Sequence, residues 1–193
     1  TPLMELIQRT CLSAKTVDEV YVYCSNPSVQ EYVIPGVQYL KRPEFLDSDK
    51  ANSNDIIREF IKTIDADIYV ETHATGPFTR AESIDACVSA VKSGNYDSAF
   101  LAKKMQEFLW QNGAALNFDI QHFPRTQDLT PIYSEAPGAY VFTKSTFEQY
   151  GRRVGIKPYI HEVSEVESRD IDYPEDFEIA NAIYSYNSGV LIK

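Results

Sequence analysis

The sequence predicts an α/β fold in three layers, with a mostly parallel β-sheet between two layers of helices. Short runs of β-branched and aromatic residues alternate along the chain with segments of helical periodicity. This order favours parallel strands joined by crossover helices. One hairpin signal interrupts the alternation and predicts an antiparallel arm that projects from the sheet.

The first part of the chain supplies the alternating elements. Residues 2–14 place apolar side chains on one helical face, and the run EVYVYC at 19–24 is typical of a strand. A short strand is predicted near 37–40, and a helix at 54–64 has isoleucines and a phenylalanine at helical spacing. The run DIYVET at 67–72 predicts the next strand.

The second part contains a helix, the arm and a closing α/β segment. Residues 79–82 (TRAE) have the pattern of a capping box, which predicts a helix from there to Gly94. The runs MQEFLW and AALNF flank Asn112-Gly113, a strong hairpin signal. Strands are then predicted at 139–143 and 157–163, and a last helix at 174–186. We expect one domain over residues 1–193, with the arm at about 103–122.

The composition excludes several classes of function. Hydrophobic residues make up 44% of the 193 residues and charged residues 24%, as in ordinary soluble globular proteins. The formal net charge of −10 argues against nucleic acid or an anionic membrane as a partner, since both need a basic face. No long apolar run or basic leader predicts a membrane span or signal peptide. The three unpaired cysteines indicate reduced thiols of a cytoplasmic protein.

Acidic residues are concentrated near the end of the sequence. Residues 162–178 contain eight carboxylates and a single base, Arg169. Like charges this close repel one another unless water, a base or a metal lies among them. The helix dipole accounts for Glu175 and Asp176, which fall in the first turn of the last predicted helix.

Asp170 and Asp172 are explained less well by a helix terminus, because they precede it. If residues 168–172 are extended, both carboxylates point to the same face. Two carboxylates so placed suit a hard cation such as Mg²⁺, which also takes phosphate oxygens of a substrate as ligands. On the residues alone, the Asp-Ile-Asp triplet is either a metal site or a solvated acidic segment.

Four separated segments become specific when they are considered together. They read KRPEFLDSDKANSND (41–55), ETHATGPFTRAESIDA (71–86), PRTQDLTPIYSEAPGAYVF (124–142) and VESRDIDYPEDFEIA (166–180). In this order they resemble the acylneuraminate cytidylyltransferase family, which comprises the CMP–sialic acid synthetases and relatives that act on other 3-deoxy-2-keto sugar acids. The resemblance covers nearly the whole chain and agrees with a Rossmann-like three-layer sandwich.

The resemblance implies a nucleotidyltransferase. Such an enzyme lets the anomeric hydroxyl of a sugar acid attack the α-phosphate of CTP, which releases pyrophosphate. It implies that Asp170 and Asp172 hold Mg²⁺ against the triphosphate, and that Arg42 and Ser53 line the cytidine pocket. The acidic residues would then bring in a cation that screens phosphate charge during the displacement.

The sugar side of the site is also implied by the resemblance. The loop that contacts the sugar corresponds to residues 73–77, with His73 and Thr75 as the matching positions. Arg125, Gln127 and Tyr140 correspond to contacts with the sugar and the phosphates, and Arg125 is the candidate catalytic residue that contacts an anionic group. Sialic-acid members commonly have glutamine where this chain has His73, so a different nonulosonic acid is an alternative substrate. The arm corresponds to a dimerisation element that reaches the partner's active site, which implies a homodimer.

The family pattern begins with a strand and a Gly-rich basic loop that wraps the phosphates of CTP. The present sequence opens at Thr1-Pro2-Leu3, where the pattern resumes after that loop, and none of its eight glycines forms such a loop. We expect the strand and loop to precede Thr1 in the natural protein, because a sheet without its middle strand exposes unpaired backbone groups. The alternative is a truncated relative.

Several of the candidate residues also fit purely structural roles. Arg42 fits a solvated loop, Ser53 or Asn52 a helix cap, and Arg125 a local pair with Asp128. A nucleotide-sugar glycosyltransferase also uses an Asp-x-Asp motif with a cation, and a non-catalytic family member is a further alternative. Pyrophosphate release from CTP with a sugar acid distinguishes these three functions.

Overall fold

The structure is a computed structural model, and it describes residues 1–188 of the chain. The helices of this part are α1 (Leu3–Ser13), α2 (Ser53–Thr63), α3 (Ala81–Lys92), α4 (Lys144–Tyr150) and α5 (Pro174–Ser188). The strands are β1 (Val20–Cys24), β2 (Val37–Lys41), β3 (Ile68–Glu71), β4 (Ser98–Met105), β5 (Trp110–Gln111), β6 (Ala114–Ala115), β7 (Ile132–Thr143) and β8 (Pro158–Val163).

The main sheet has the strand order β3-β7-β4-β8. β4 and β8 are parallel, and β7 runs antiparallel to both β3 and β4, so three of these four strands share one direction. β1 and β2 form a separate parallel pair. The predicted α/β class with a mostly parallel sheet is therefore confirmed, and the antiparallel β7 is an addition that the alternation of elements did not indicate.

The alternating side chains of β7 divide the core into two layers. Ala139 and Val141 belong to a cluster with apolar residues of α1 and α3 on one face of the sheet. On the opposite face, Phe142 packs with Ile57 of α2 and Phe147 of α4. Helices therefore cover both faces, as the three-layer prediction required.

An open gap separates the two groups of strands. Among the described residues, β1 pairs only with β2, and β3 pairs only with β7, so each strand has a free edge. Both edges line one cavity of about 1200 Å³, which also reaches α2 and α3. The ring of Phe60 lies 5.2 Å from that of Tyr23 on β1 and 6.3 Å from that of Tyr69 on β3.

The predicted hairpin is confirmed, although its paired strands β5 and β6 have two residues each. Asn112 and Gly113 have φ values of 51° and 79°, the left-handed conformation that a tight hairpin turn requires. Aromatic side chains gather at its base, where Phe118 lies 4.8 Å from Phe108 and 5.3 Å from Trp110, measured between ring centroids.

The predicted capping box at the start of α3 is wrong. The helix begins at Ala81, and its N-cap residue, Arg80, makes no side-chain cap. Thr79 instead donates to the carbonyl oxygen of Gly76 at 2.9 Å and stabilises the preceding turn. For α2, Asn52 rather than Ser53 is the cap, and it forms a capping box with Asp55.

Within the described part of the chain, none of the helices has the length and apolar character needed to cross a membrane.

Candidate functional site

The loop after β3 and the acidic segment before α5 lie side by side. The backbone N–H of Ile171, between the two candidate metal ligands, donates to the carbonyl oxygen of Thr75 at 3.0 Å. Glu167 is buried, and its carboxylate accepts from the backbone N–H of Arg80 at 3.1 Å. These two contacts attach the acidic segment to the middle of the loop, at Thr75, and to its end, at Arg80.

Close packing against β7 also fixes this loop. β7 contains a bulge opposite β4. Phe100 of β4 pairs with Tyr140, but Ala102 pairs with Glu135, so residues 136–139 of β7 depart from the regular ladder. A Cβ on Gly138 in this bulge would lie 2.5 Å from Thr79 Oγ1. Glycine at 138 therefore allows the loop to contact the strand backbone.

Three carboxylates of the acidic stretch have partners elsewhere in the fold. Glu167 accepts from Arg80, Glu162 accepts from the Tyr133 hydroxyl at 3.4 Å, and Glu165 pairs with Lys103 at 2.7 Å. The hydrogen bond from Lys103 lowers the pKa of Glu165. These residues stabilise the fold, which accounts for part of the concentration of acid.

Asp170 and Asp172 have no cationic partner among the described residues. The half-buried Asp170 accepts only from the adjacent N–H of Ile171, at 3.0 Å, and Asp172 is exposed. No group of three or more histidine, cysteine, aspartate or glutamate side chains within residues 1–188 could hold a metal. A divalent cation here would therefore have two protein carboxylates and would need substrate oxygens for its remaining ligands, a set that fits Mg²⁺.

Arg42, Ser53 and His73 line the cavity between β1 and β3. Arg42 is held by Asp47, with Nη2 at 2.7 Å from Oδ1. Its Nε atom is buried and has no hydrogen-bond partner among the described residues. A buried donor without an acceptor costs free energy.

Tyr140 is largely removed from the surface, with 5% of its area exposed. Its hydroxyl donates to Glu135 Oε2 at 2.7 Å, and the guanidinium carbon of Arg153 lies 3.4 Å from its ring centroid. Burial and the hydrogen bond to Glu135 raise the pKa of Tyr140, so the phenol stays protonated. The ring of His73 lies 6.3 Å away in an edge-to-face arrangement.

Arg153 connects these side chains, and no motif in the sequence indicated it. Its Nη1 atom donates to Glu71 Oε2 at 2.6 Å and lies 3.4 Å from His73 Nε2. Glu71 and Arg153 are 82 positions apart in the sequence, so only the folded chain brings them together. The adjacent arginines at 152 and 153 were the one available signal, and in a loop such a pair is usually solvated.

Arg125 and Gln127 lie apart from the other candidate residues, on the segment that returns from the arm. Arg125 forms a bidentate pair with Asp128, at 2.7 and 3.0 Å, and its side chain is 73% exposed. Gln127 is exposed, and its carbonyl oxygen accepts from Gln106 at 3.4 Å. No contact of the described residues joins either side chain to His73, Tyr140 or the acidic segment.

The chain is similar to known cytidylyltransferases, by sequence pattern and by fold. A family model described as cytidylyltransferase matches residues 1–192. No curated protein matches the chain.

Several solved structures have a similar fold at low sequence identity. A CMP:2-keto-3-deoxy-manno-octonic acid synthetase, solved in complex with CTP, is 16% identical, with a TM-score of 0.71 over 97% of this chain and 89% of that one. The 4-diphosphocytidyl-2C-methyl-D-erythritol synthase of Anaerococcus prevotii is 14% identical, with a TM-score of 0.65 over 95% and 86% of the two chains. The bifunctional IspDF of Campylobacter jejuni is 12% identical, with a TM-score of 0.66; the match covers 92% of this chain and 46% of that one.

Proposed function

Because the chain belongs to the cytidylyltransferase family, we propose that it transfers CMP from CTP to the anomeric hydroxyl of a 3-deoxy-2-keto sugar acid. The products are the CMP-sugar acid and pyrophosphate. The observation that carries this proposal is the contact between Thr75 and Ile171, which holds the candidate sugar loop beside Asp170 and Asp172. The similar octonic acid synthetase acts on a sugar acid of this class.

In this proposal, Asp170 and Asp172 hold Mg²⁺ together with oxygens of the triphosphate. When bound, the ion would neutralise charge on the phosphates during displacement of pyrophosphate. Among the described residues, the carboxylate of Asp170 accepts a hydrogen bond only from the neighbouring Ile171, and the carboxylate of Asp172 accepts none. Both are therefore free to act as ligands.

Base recognition is assigned to Arg42 and Ser53. Both line the cavity, and the guanidinium of Arg42 carries donors for which a cytosine base offers O2 or N3 as acceptor. Uracil has a donor at N3, which would leave a protein donor unpaired at a cost of roughly 1–3 kcal/mol. We therefore expect CTP to be preferred over UTP by roughly tenfold to a hundredfold.

The sugar acid is assigned to the loop side of the site. His73 and Thr75 are half-buried near the acidic segment and supply the polar contacts, whereas Tyr140 supports this surface from beneath. Arg125 and Gln127, on the segment that follows the arm, are proposed to act on the substrate of a partner subunit in a homodimer. Exposed apolar side chains support such an assembly, among them Trp110 and Phe123, at 55% and 60% exposure.

The phosphate-binding part of the site is proposed to come from a strand and a Gly-rich loop that precede Thr1 in the natural protein. The free edges of β1 and β3 support this, because both can accept the backbone hydrogen bonds of one further strand. The part of the cavity between these edges is flanked by apolar residues of α2 and α3, which suits a strand that is buried on both faces. Arg42, which follows β2, and Ser53, which begins α2, would line the part that stays open for the base.

The test is pyrophosphate release by the natural full-length protein, with CTP or UTP paired in turn with several nonulosonic acids. We expect release with CTP and at least one sugar acid. Equal rates with CTP and UTP would contradict the base pocket. Activity restricted to phosphates of neutral sugars would show that the acceptor is not a sugar acid.

A further inference from the structure

We propose that Arg153 determines specificity for an acidic acceptor, by binding the carboxylate of the sugar acid. This inference rests on the proposed function. Arg153 lies in the turn between α4 and β8, and its side chain reaches the end of β3, where Glu71 and His73 are located.

The sequence predicted that Tyr140 contacts the substrate, but in the structure Arg153 lies over Tyr140. The guanidinium covers the ring of Tyr140, with 3.4 Å between its central carbon and the ring centroid. Since Tyr140 is buried and its hydroxyl is bound to Glu135, a ligand approaching this point meets Arg153 first. The side chain of Arg153 itself is 21% exposed, which leaves part of it accessible.

The unused donors of Arg153 define the ligand that it can bind. Its hydrogen-bonding contacts within residues 1–188, to Glu71 and His73, both involve Nη1. The Nε and Nη2 atoms donate to no residue in that part of the chain. Their N–H groups point along one edge of the planar guanidinium, and this edge matches the two oxygens of a carboxylate.

Stacking on Tyr140 and pairing with Glu71 hold the guanidinium in a fixed plane before any ligand arrives. A side chain that is already ordered loses little further entropy on binding, which favours a geometrically selective contact. Glu71 also offsets the charge of Arg153, so an anion that fits the guanidinium poorly gains little binding free energy from charge alone. We infer that a bidentate carboxylate on the Nε–Nη2 edge is preferred over a neutral amide of the same shape.

Arg125 is less suited to this role within one chain. Its guanidinium already forms two hydrogen bonds with Asp128 and is largely exposed, so water screens its charge. Arg153 is therefore the better candidate for the carboxylate, and Arg125 is kept as the candidate for a contact from the partner subunit.

The experiment compares acids with their amides in the natural full-length protein. The probes are 2-keto-3-deoxy-manno-octonic acid and N-acetylneuraminic acid, each beside its C1 amide, with CTP as donor. For Arg153→Gln, we expect KM for the acid to rise roughly tenfold to a hundredfold, since a charge-assisted contact is lost. KM for CTP should stay unchanged, and the preference for acid over amide should disappear.

Three further variants separate binding from folding. Arg152→Gln is the matched control, because Arg152 is exposed and donates only to the carbonyl oxygen of Gly155, at 3.4 Å. It should keep the wild-type preference. Arg153→Lys keeps the charge without the planar edge and should give an intermediate KM, which provides a readout if Arg153→Gln folds poorly. Glu71→Gln keeps an oxygen that can accept from Arg153 Nη1, so the guanidinium stays in place. Only the offsetting charge is lost, and KM for the acid should fall.

The outcomes distinguish this inference from the proposed function. If the wild type prefers acid to amide and Arg153→Gln or Arg153→Lys keeps the full preference, the role of Arg153 is overturned while the proposed function stands. If the wild type releases pyrophosphate with no sugar acid, the proposed function is wrong and the inference falls with it.

Discussion

Replacing Gly138 with alanine tests whether the loop that carries His73 and Thr75 depends on its contact with β7. The new Cβ would lie 2.5 Å from Thr79 Oγ1 and 2.8 Å from Leu101 Cδ1. Ordinary contacts between such atoms are roughly 3.5–4.0 Å, so something must move by about 1 Å. Both Leu101 and Thr79 are buried, so neither side chain can yield into solvent.

The expected cost follows from overpacking of a dense interior, which is roughly 1–3 kcal/mol of unfolding free energy. For a chain of this size, each kcal/mol lowers Tm by roughly 2–4 °C, so the variant should melt roughly 2–12 °C below the wild type. A displacement of 1 Å near reacting groups reduces rate by up to roughly a hundredfold, and kcat/KM should fall accordingly. Urea denaturation and pyrophosphate release measure the two effects.

A double variant checks the physical cause. Thr79→Ala removes two of the three atoms nearest to the new Cβ, although it also removes the hydrogen bond from Thr79 to Gly76. In Gly138→Ala/Thr79→Ala, the combined loss of stability should be smaller than the sum of the single losses by roughly 0.5–3 kcal/mol. Strictly additive losses, or an unchanged Tm for Gly138→Ala, would refute the reasoning.

Three further predictions concern the metal, the assembly and the response to acid. Asp170→Asn and Asp172→Asn should each lower turnover by orders of magnitude, because each removes stabilisation of phosphate charge, and Tm should stay unchanged. Full turnover in both variants would rule out the metal assignment. Trp110→Ser should weaken the proposed dimer, as measured by light scattering at micromolar concentration, and a monomeric wild type would contradict the proposal. Burial alone would raise the pKa of Asp97, but hydrogen bonds from the N–H groups of Lys157 and Ile156 and from Ser98 outweigh burial and lower it. Stability from Asp97 is therefore present above the unfolded pKa of about 3.9 and is lost as pH falls through the lower folded pKa. The difference in unfolding free energy between wild type and Asp97→Asn should shrink below about pH 4, and a constant difference would count against it.

The sequence predicted the elements with clear local signals and missed those without them. The last helix and the hairpin turn lie where expected, because Pro174 with the acidic first turn and Asn112-Gly113 are such signals. β4 was missed, although its first five residues are buried, because a strand buried on both faces lacks alternation. α4 was missed because it has only seven residues; Thr143 caps its start and Gly151, at φ 64°, ends it.

The candidate site was predictable only in part, for a related reason. Asp170, Asp172 and the loop residues His73 and Thr75 form short motifs that a sequence displays directly, and the fold places these two segments together. The roles of Glu167 and Arg153 depend on partners 87 and 82 positions away, so no local pattern indicates them. Tyr140 was a candidate contact of the substrate, but its burial under Arg153 depends on tertiary packing, which the sequence does not display.

The acidic stretch divides into two parts with different physical roles. Of the five carboxylates before α5, Glu162, Glu165 and Glu167 have partners distant in sequence, and these offset their charges or satisfy their oxygens. Asp170 is half-buried and has no such partner, so its carboxylate is not engaged by any distant group among the described residues. A cation that arrives with the nucleotide would find this carboxylate and that of Asp172 available as ligands. This is the physical support for placing Mg²⁺ at Asp170 and Asp172.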